Sequence, residues 1–221
     1  MILAPLPPTV LAARHLPAAH PDLLRAYGAD PARHVSLALL TCDQDDPTYV
    51  ALDEATKHAD VEVVFARSFY AGAAHASGPL SGEILGVLAG PDPDEVAHGL
   101  DAALRCLAHD ARFYAADEAG RLPIFPHVIP SLGRYLSRLA GLAPGAAMAY
   151  LVAPPLEFTI ALDAALKAAD VTAARIDPPP SPTNFASAWL TGPLPDCEAA
   201  AMAFAAAVVA VARQPLRPAP Y

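Results

Sequence analysis

The sequence predicts a mixed α/β protein of the α+β kind, in which one βαββα unit occurs twice. The stretch LDEATKHADV at residues 52–61 returns as LDAALKAADV at residues 162–171, with seven of ten positions identical. The offset of 110 residues is half of the 221-residue chain. A second pair, LAGPDPDE at residues 88–95 and LTGPLPDC at residues 190–197, extends the similarity. We therefore expect two domains of about 100 residues each rather than one large domain.

The elements of the first half follow from apolar runs with the periodicity of strands or helices. A short strand and a short helix, within TVLAARHLP and PDLLRAYG, precede the repeated unit. Asp46 is expected to cap the first core helix, with Pro47 at its first position. Asp92 and the residues after it open the second core helix. The predicted core elements are a strand at 35–42, a helix ending near residue 58, strands at 61–66 and 82–90, a helix beginning at residue 92, and a last strand at 111–116.

The second half shows the same order behind its own leading segment, PHVIPS followed by YLSRLAGL. Its longest apolar run, residues 199–212, is too short to span a bilayer and is rich in alanine, so we interpret it as a helix packed against a sheet. The predicted elements are the strands AMAYLVAP, VTAARI and FASAWLTG, with helices at about 155–169 and 195–213. We therefore expect a first domain at residues 1–118 and a second at residues 119–221.

Composition limits the classes of partner. Hydrophobic residues make up 54% of the chain and charged residues only 17%, which indicates extensive contact between subunits. The net charge of −9 argues against binding to nucleic acid. Three scattered cysteines predict a reducing, cytosolic compartment. The N-terminal segment MILAPLPPTV lacks the basic start of a secretory signal, and we expect no association with a membrane.

The two halves differ most in one loop. The chain needs 30 residues from Asp60 to Gly90 but only 22 from Asp170 to Gly192, and the extra eight lie within RSFYAGAAHASG. Duplicated sequences diverge where their functions differ, so this loop is a functional candidate. The alternative is a surface insertion without a function.

Catalytic motifs are absent from the sequence. The acidic cluster Asp43, Asp45 and Asp46 follows a strand and could hold magnesium. However, the chain has no glycine-rich phosphate loop and no nucleophile elbow. Its eight histidines lack the spacing of metal ligands, and only His75, in the long loop, remains of interest. We therefore expect no enzyme activity, no metal and no cofactor.

Several stretches together carry a family resemblance. LDAALKAADV, VEVVFARSFYAGAAH and LTGP resemble the bacterial microcompartment shell domain, in which a helix ending D-x-x-x-K-A-A-x-V carries an edge lysine. Two such domains with permuted element order are similar to the ethanolamine-utilisation branch of that family. The resemblance covers almost the whole chain. It implies two tandem permuted shell domains of ferredoxin-like topology, each a small antiparallel sheet with helices on one side.

The resemblance also implies an assembly. Members of this branch form cyclic homotrimers, and these six-sided tiles pack edge to edge with other shell proteins around an enzyme-filled lumen in the cytoplasm. Lys57 and Lys167 are the only lysines in the chain, and they occupy equivalent positions of the repeat. A lysine has a long stem and a compact charge that can lie along a neighbouring tile, so both are expected at the tile edge. Alternatively, duplication left two exposed lysines without a role.

Three residues match positions that line a small ethanolamine-binding pore in each subunit of that branch: Asp45, Glu83 and Phe113. Carboxylates suit the ammonium group, and an aromatic face adds cation–π attraction. Without the resemblance, Asp45 would be interpreted as a helix cap and Glu83 as a solvated strand end.

The long loop, with Phe69, Tyr70 and His75, is expected near the threefold axis, where its aromatic and small residues suit a gate for the central pore. The competing hypothesis is a soluble trimeric ligand-sensing regulatory protein of ferredoxin-like topology that forms no sheets.

Overall fold

The computed structural model describes residues 4–69, 78–179 and 185–216. Within these ranges the chain forms ten strands and six helices. In chain order they are β1 (Ala4–Leu6), β2 (Val10–Leu16), α1 (Pro21–Ala26), β3 (Ser36–Cys42), α2 (Asp45–His58), β4 (Glu62–Ser68), β5 (Ile84–Gly90), α3 (Pro93–His109), β6 (Phe113–Ala115), β7 (Pro123–Ile129), α4 (Arg134–Ala140), β8 (Met148–Ala153), α5 (Pro155–Ala168), β9 (Thr172–Asp177), β10 (Ala186–Thr191) and α6 (Leu194–Arg213). The order β3-α2-β4-β5-α3 recurs as β8-α5-β9-β10-α6, which confirms the predicted duplication.

The chain divides into two compact units that alternate along the sequence. Of the described residues, the four-stranded unit contains those within 7–111 and 132–144, and the six-stranded unit contains 4–6, 112–131 and those from Gly145 onward. Helix α4, which the sequence analysis assigned to the second half, therefore belongs to the first unit. The domain boundary between residues 118 and 119 stays a prediction.

The four-stranded unit is built on an antiparallel sheet in the order β2-β3-β5-β4. Helices α2 and α3 cover one face, where Gly86 allows close packing because an added Cβ would lie 2.7 Å from Leu52 of α2. The opposite face carries a smaller apolar cluster in which Leu24 of α1 packs with Leu37 and Val87. The predicted helix pair on one side is thus present, and α1 adds cover on the other.

The six-stranded unit has the strand order β1-β6-β7-β8-β10-β9. Helices α5 and α6 pack on one face, where the rings of Phe158 and Phe204 meet edge to face with centroids 6.0 Å apart. Strand β6 was expected to complete the first half, but it pairs with β1 and β7 instead. The reason is a turn in which Oδ1 of Asp117 accepts the backbone N–H groups of Arg121 and Leu122, at 2.7 and 2.9 Å.

The start of one core helix differs from the prediction, and the start of the other agrees with it. Helix α2 begins at Asp45, with Gln44 at the cap position, so the prediction that Asp46 caps it was wrong. The Asp45 carboxylate itself accepts the N–H of Asp46, at 2.9 Å, and this bond satisfies a donor of the first turn. Asp92 caps α3 as expected and accepts the N–H of Glu95 at 2.9 Å.

Helix α6 begins within one residue of the predicted helix at 195–213 and ends at the predicted residue. Its 20 residues make it the one helix in the described ranges that is long and apolar enough to cross a membrane by length and composition. One stripe of α6 is buried in the core of the six-stranded unit. The buried positions recur every three or four residues, as in a core helix: Cys197, Ala200, Ala201, Phe204, Ala205, Val208 and Val209.

Candidate ligand-binding site

Asp45 is a buried carboxylate held in a fixed position at the start of α2. The residue is only 8% exposed. The Ser68 hydroxyl donates to Oδ2 at 2.7 Å, and the Asp46 N–H donates to Oδ1. Burial raises the pKa of the Asp45 carboxyl, although these two hydrogen bonds act in the opposite direction. No cationic side chain pairs with it anywhere in the described residues.

A second layer of hydrogen bonds orients Ser68. The hydroxyl oxygens of Tyr49 and Ser68 lie 2.8 Å apart. Because the single Ser68 hydroxyl proton goes to Asp45, Tyr49 must donate to Ser68. Tyr49 in turn accepts the Ser68 backbone N–H at 3.1 Å. These hydrogen bonds form a chain that runs from the Ser68 N–H through the Tyr49 and Ser68 hydroxyls to the Asp45 carboxylate. A chain of donors that ends on the carboxylate stabilises its ionised form.

Glu83 lies directly before β5, in the same unit as Asp45. Its N–H donates to the Cys42 carbonyl at 2.8 Å, and its carbonyl accepts the Phe69 N–H at 2.9 Å. Gly82 has a φ of +61°, and any Cβ there would overlap the Cys42 carbonyl, so glycine is required for this approach. Desolvation, followed by the negative charges of Asp45 and Asp43, raises the pKa of Glu83. The two predicted carboxylates are therefore close enough to repel each other.

The acidic cluster does not form a set of metal ligands. Oδ1 of Asp43 accepts the Thr9 N–H at 2.6 Å, whereas Asp45 is held by Ser68. Across the described ranges, no group of three or more His, Cys, Asp or Glu side chains is arranged to hold a metal ion. What the site offers is two carboxylates, Asp45 and Glu83, that form no ion pair with a cationic side chain of residues 4–69, 78–179 and 185–216.

Phe113 and Phe69, the other predicted ligand and pore residues that the structure describes, belong to different units. Phe113 belongs to the six-stranded unit, where it is buried with its ring centroid 5.1 Å from that of Phe125. Phe69 follows β4 and is partly exposed. Tyr70 and His75 lie outside the described residues.

The two predicted edge lysines have different surroundings. The Lys57 side chain is 23% exposed and forms an ion pair with Glu54. The Lys167 side chain is 73% exposed, and its Nζ lies 2.7 Å from the Asp163 carboxylate. Each lies in the last turn of its helix, where a positive charge is favourable. Their position at a tile edge stays a prediction.

Sequence reasoning missed the role of Asp53, the aspartate of the first repeat. Asp53 is 1% exposed, and its carboxylate accepts the N–H groups of Gly133 and Leu136 at 2.7 and 2.8 Å. It thereby caps α4 from another helix. The equivalent Asp163 is 64% exposed and pairs only with Lys167 in the ion pairs of the described chain. The available signal was that α4 follows a glycine and carries no capping side chain of its own.

Comparison with known proteins identifies the family. Residues 36–117 match the BMC domain. The shell protein EutL of Clostridium perfringens (strain 13 / Type A) is 49% identical over 209 residues, covering 95% of this chain and 96% of that protein. EutL of Escherichia coli (strain K12) is 48% identical over 211 residues, covering 95% of each.

Solved structures of microcompartment shell proteins have the same fold as this chain. The crystal structure of EutL from Clostridium perfringens superposes with a TM-score of 0.92 at 48% identity and covers 98% of both chains. EutL from Leptotrichia buccalis C-1013-b gives 0.93 at 47% identity, with 99% and 100% covered. A trimeric microcompartment shell protein, PduB, shares the fold, with a TM-score of 0.74 at 20% identity.

The duplicated fold and these matches define the class: the chain belongs to the family of bacterial microcompartment shell proteins. Near-half identity extends over almost the full length of its relatives. It is accordingly a structural shell protein of the EutL type, in ethanolamine utilisation, and the resemblance drawn from the sequence is confirmed.

Proposed function

We propose that this shell protein forms cyclic trimers that tile the shell of a cytoplasmic microcompartment, and that each subunit binds ethanolamine at Asp45 and Glu83. The observation that carries the ligand proposal is the carboxylate pair itself. Asp45 is buried and fixed by Ser68. Desolvation and then the negative charge of Asp45 raise the pKa of Glu83, and neither carboxylate has a cationic partner in the described part of the chain. A small cation relieves that repulsion.

Ethanolamine fits the chemistry of this pair. Its ammonium group donates several hydrogen bonds to carboxylates, and its hydroxyl can bond a backbone group near the turn CDQDD. A charged hydrogen bond to a desolvated carboxylate is stronger than a neutral one. A neutral diol of the same size lacks the charge and gains little from Asp45 and Glu83. The contribution of Phe113, which lies in the other unit, stays a prediction.

The expected affinity is modest. A ligand of four heavy atoms cannot exceed about 6 kcal/mol of binding free energy, even at the highest known efficiency of about 1.5 kcal/mol per atom. The dissociation constant is therefore expected between about 40 μM and about 10 mM. Such weak binding suits a pore that must also release the molecule it admits.

Titration calorimetry tests the ligand proposal. Ethanolamine should bind wild-type protein, and ethylene glycol, its neutral counterpart, should not. Asp45→Asn and Glu83→Gln keep the shape and remove one charge each, so each should weaken binding at least about tenfold, or 1.4 kcal/mol. Asp94→Asn, an exposed change on α3 of the same unit, is the control and should bind as wild type. Equal binding of both ligands, or wild-type affinity in both site variants, would contradict the proposal.

The six-stranded unit carries features that support subunit contacts. Leu156 and Ile160 on α5 are more than half exposed, one turn apart. They share a face of α5 with Asp163 and Lys167 further along the helix. Strand β9 at the sheet edge is largely exposed and includes Ile176. Apolar side chains on one helix face and an uncovered strand edge are typical of surfaces that other chains cover.

We further infer that the loop with Phe69, Tyr70 and His75 gates a central pore. Phe69 is the last described residue before the loop, and its N–H is bonded to the carbonyl of Glu83. The loop therefore begins beside the proposed ethanolamine site. Conductance of ethanolamine through reconstituted sheets, compared with sheets in which this loop is shortened to the length found in the second half, tests the gate.

A further inference from the structure

A polar cleft apart from the ethanolamine site lies in the four-stranded unit, between the end of α2, the start of β4 and helix α4. Its volume is about 230 Å³, and Val61, Val63, Arg134, Tyr135 and Arg138 contribute to its lining. At about 30 Å³ per water molecule, it holds roughly seven waters or one small ion with its hydration. Drug-sized pockets begin at about 300 Å³, so the cleft suits a small ligand.

Arg134 supplies a guanidinium group that is already held in place. Its Nη2 donates to the carbonyls of Ala59 and Val61, at 2.9 and 3.1 Å. A guanidinium has five N–H donors, so three remain for a ligand. Because the group is anchored, binding orders little that is not already ordered.

Arg138 and Tyr135 add donors that have no side-chain partner in the described part of the chain. Arg138 lies one turn after Arg134 on the same face of α4, and its guanidinium makes no hydrogen bond or ion pair with other described residues. Like charges at this spacing repel each other, which favours an anion between them. The Tyr135 residue is 8% exposed, and its hydroxyl has no hydrogen-bond partner among residues 4–69, 78–179 and 185–216.

One carboxylate also lines the cleft, but it is already paired. Glu62 accepts a charged hydrogen bond from Arg33 at 2.6 Å, and its other oxygen lies 3.8 Å from Nε2 of His34. The negative charge of Glu62 is therefore offset by Arg33. The cleft keeps the positive charge of Arg134 and Arg138, in a protein whose net charge is −9.

We propose that this cleft binds a small oxyanion, a carboxylate or a phosphate, between the guanidinium groups of Arg134 and Arg138, with the Tyr135 hydroxyl as a third donor. Arginine matches the two oxygens of such anions with paired N–H groups. This site shares no residue with the ethanolamine site, so either can fail without the other.

Calorimetry with sodium phosphate and sodium acetate, at constant ionic strength balanced by sodium chloride, tests the proposal. Arg138→Gln should weaken anion binding about tenfold and Tyr135→Phe about threefold. Arg105→Gln removes an exposed arginine of α3 in the same unit and should change nothing. Asp45→Asn should also bind anions as wild type, which separates this site from the ethanolamine site.

If only phosphate binds saturably, the cleft is a site for phosphoryl groups. If only acetate binds, it is a site for carboxylates. If both bind, it accepts small oxyanions in general. Each of these results supports the site if Arg138→Gln weakens the binding. No saturable heat with either anion, or equal affinity in Arg138→Gln and Arg105→Gln, would overturn it. Circular dichroism of each variant confirms that the fold is intact.

Discussion

Replacing Asp53 with asparagine should destabilise the protein far more than the same change at Asp163. The two aspartates occupy equivalent positions of the repeated helix. Asp53 is buried and accepts backbone N–H groups from Gly133 and Leu136 through its two oxygens. Asp163 lies on the surface and pairs with Lys167. One substitution therefore removes a buried helix cap and the other an exposed ion pair, within nearly identical sequences.

The magnitude follows from the hydrogen bonds. An asparagine amide has one accepting oxygen, so in Asp53→Asn one backbone N–H of α4 faces an NH₂ group. A buried donor left without an acceptor costs about 1–3 kcal/mol, and the remaining bond loses its charge. Burial raises the pKa of Asp53 despite the bonds from Leu136 and Gly133, so removing the charge also recovers some desolvation free energy. The expected loss is about 2–4 kcal/mol.

Thermal unfolding of both variants beside wild type measures the difference. For a chain of this size, each kcal/mol lowers the midpoint by about 2–4 °C. Asp53→Asn should therefore lower it by roughly 4–16 °C, and Asp163→Asn by no more than about 2 °C, because exposed ion pairs contribute at most about 0.5 kcal/mol here. Equal midpoints for the two variants would refute the role of Asp53 as the cap of α4.

Three further predictions concern the fold, the tile and the ligand. Gly133→Ala should destabilise by about 1–3 kcal/mol in urea unfolding, because the added Cβ would lie 2.5 Å from the Asp53 carbonyl; a wild-type midpoint would contradict this contact. Changing Lys57 and Lys167 together to alanine should leave the trimer, measured by sedimentation, intact and abolish flat sheets in electron micrographs; unchanged sheets would show that the lysines have no role in tiling. Ethanolamine affinity should fall as pH decreases through the raised pKa of Asp45, because the protonated carboxyl no longer attracts the ammonium group. Calorimetry between about pH 8 and pH 4 should show this loss, and in Asp45→Asn a flatter profile.

The duplicated core was accessible from the sequence because periodicity and repetition are local signals. Strands β3 and β8 and the helices after them fall close to their predicted residues. The sequence did not indicate that β6 joins the six-stranded unit and α4 the four-stranded unit. Strand β6 joins the six-stranded sheet through the turn at Asp117, and α4 joins the four-stranded unit through Asp53. Both depend on single hydrogen-bonded side chains that leave no periodic pattern.

The candidate site was predicted through the resemblance and only partly through chemistry. Taken alone, Asp45 and Glu83 were equally compatible with a helix cap and a strand end. The structure adds that Ser68 holds Asp45 and that Tyr49 holds Ser68. The helical spacing of Asp45 and Tyr49 was a usable signal that these two side chains lie on one face of α2. No signal in the sequence pointed to Ser68, at the end of β4, as a partner of Asp45.

High identity between the repeats concealed a difference in role. Lys57 and Lys167 were expected to be equivalent because their positions in the repeat align. In the structure, Lys57 is largely covered beside Glu54, and Lys167 is largely exposed. The two helices also differ in their neighbours, because α4 packs on α2 through Asp53 and Thr56, whereas the equivalent Asp163 of α5 is exposed.

Diffraction from crystals of the wild-type protein soaked in ethanolamine tests the central claim most directly, because one experiment shows both the assembly and the ligand. We expect three chains of 22.9 kDa around a threefold axis. In each chain, the ligand nitrogen should lie about 2.7–3.2 Å from carboxylate oxygens of Asp45 and Glu83. Ordered crystals that contain no threefold trimer, or that show ethanolamine bound only at other residues, would contradict it.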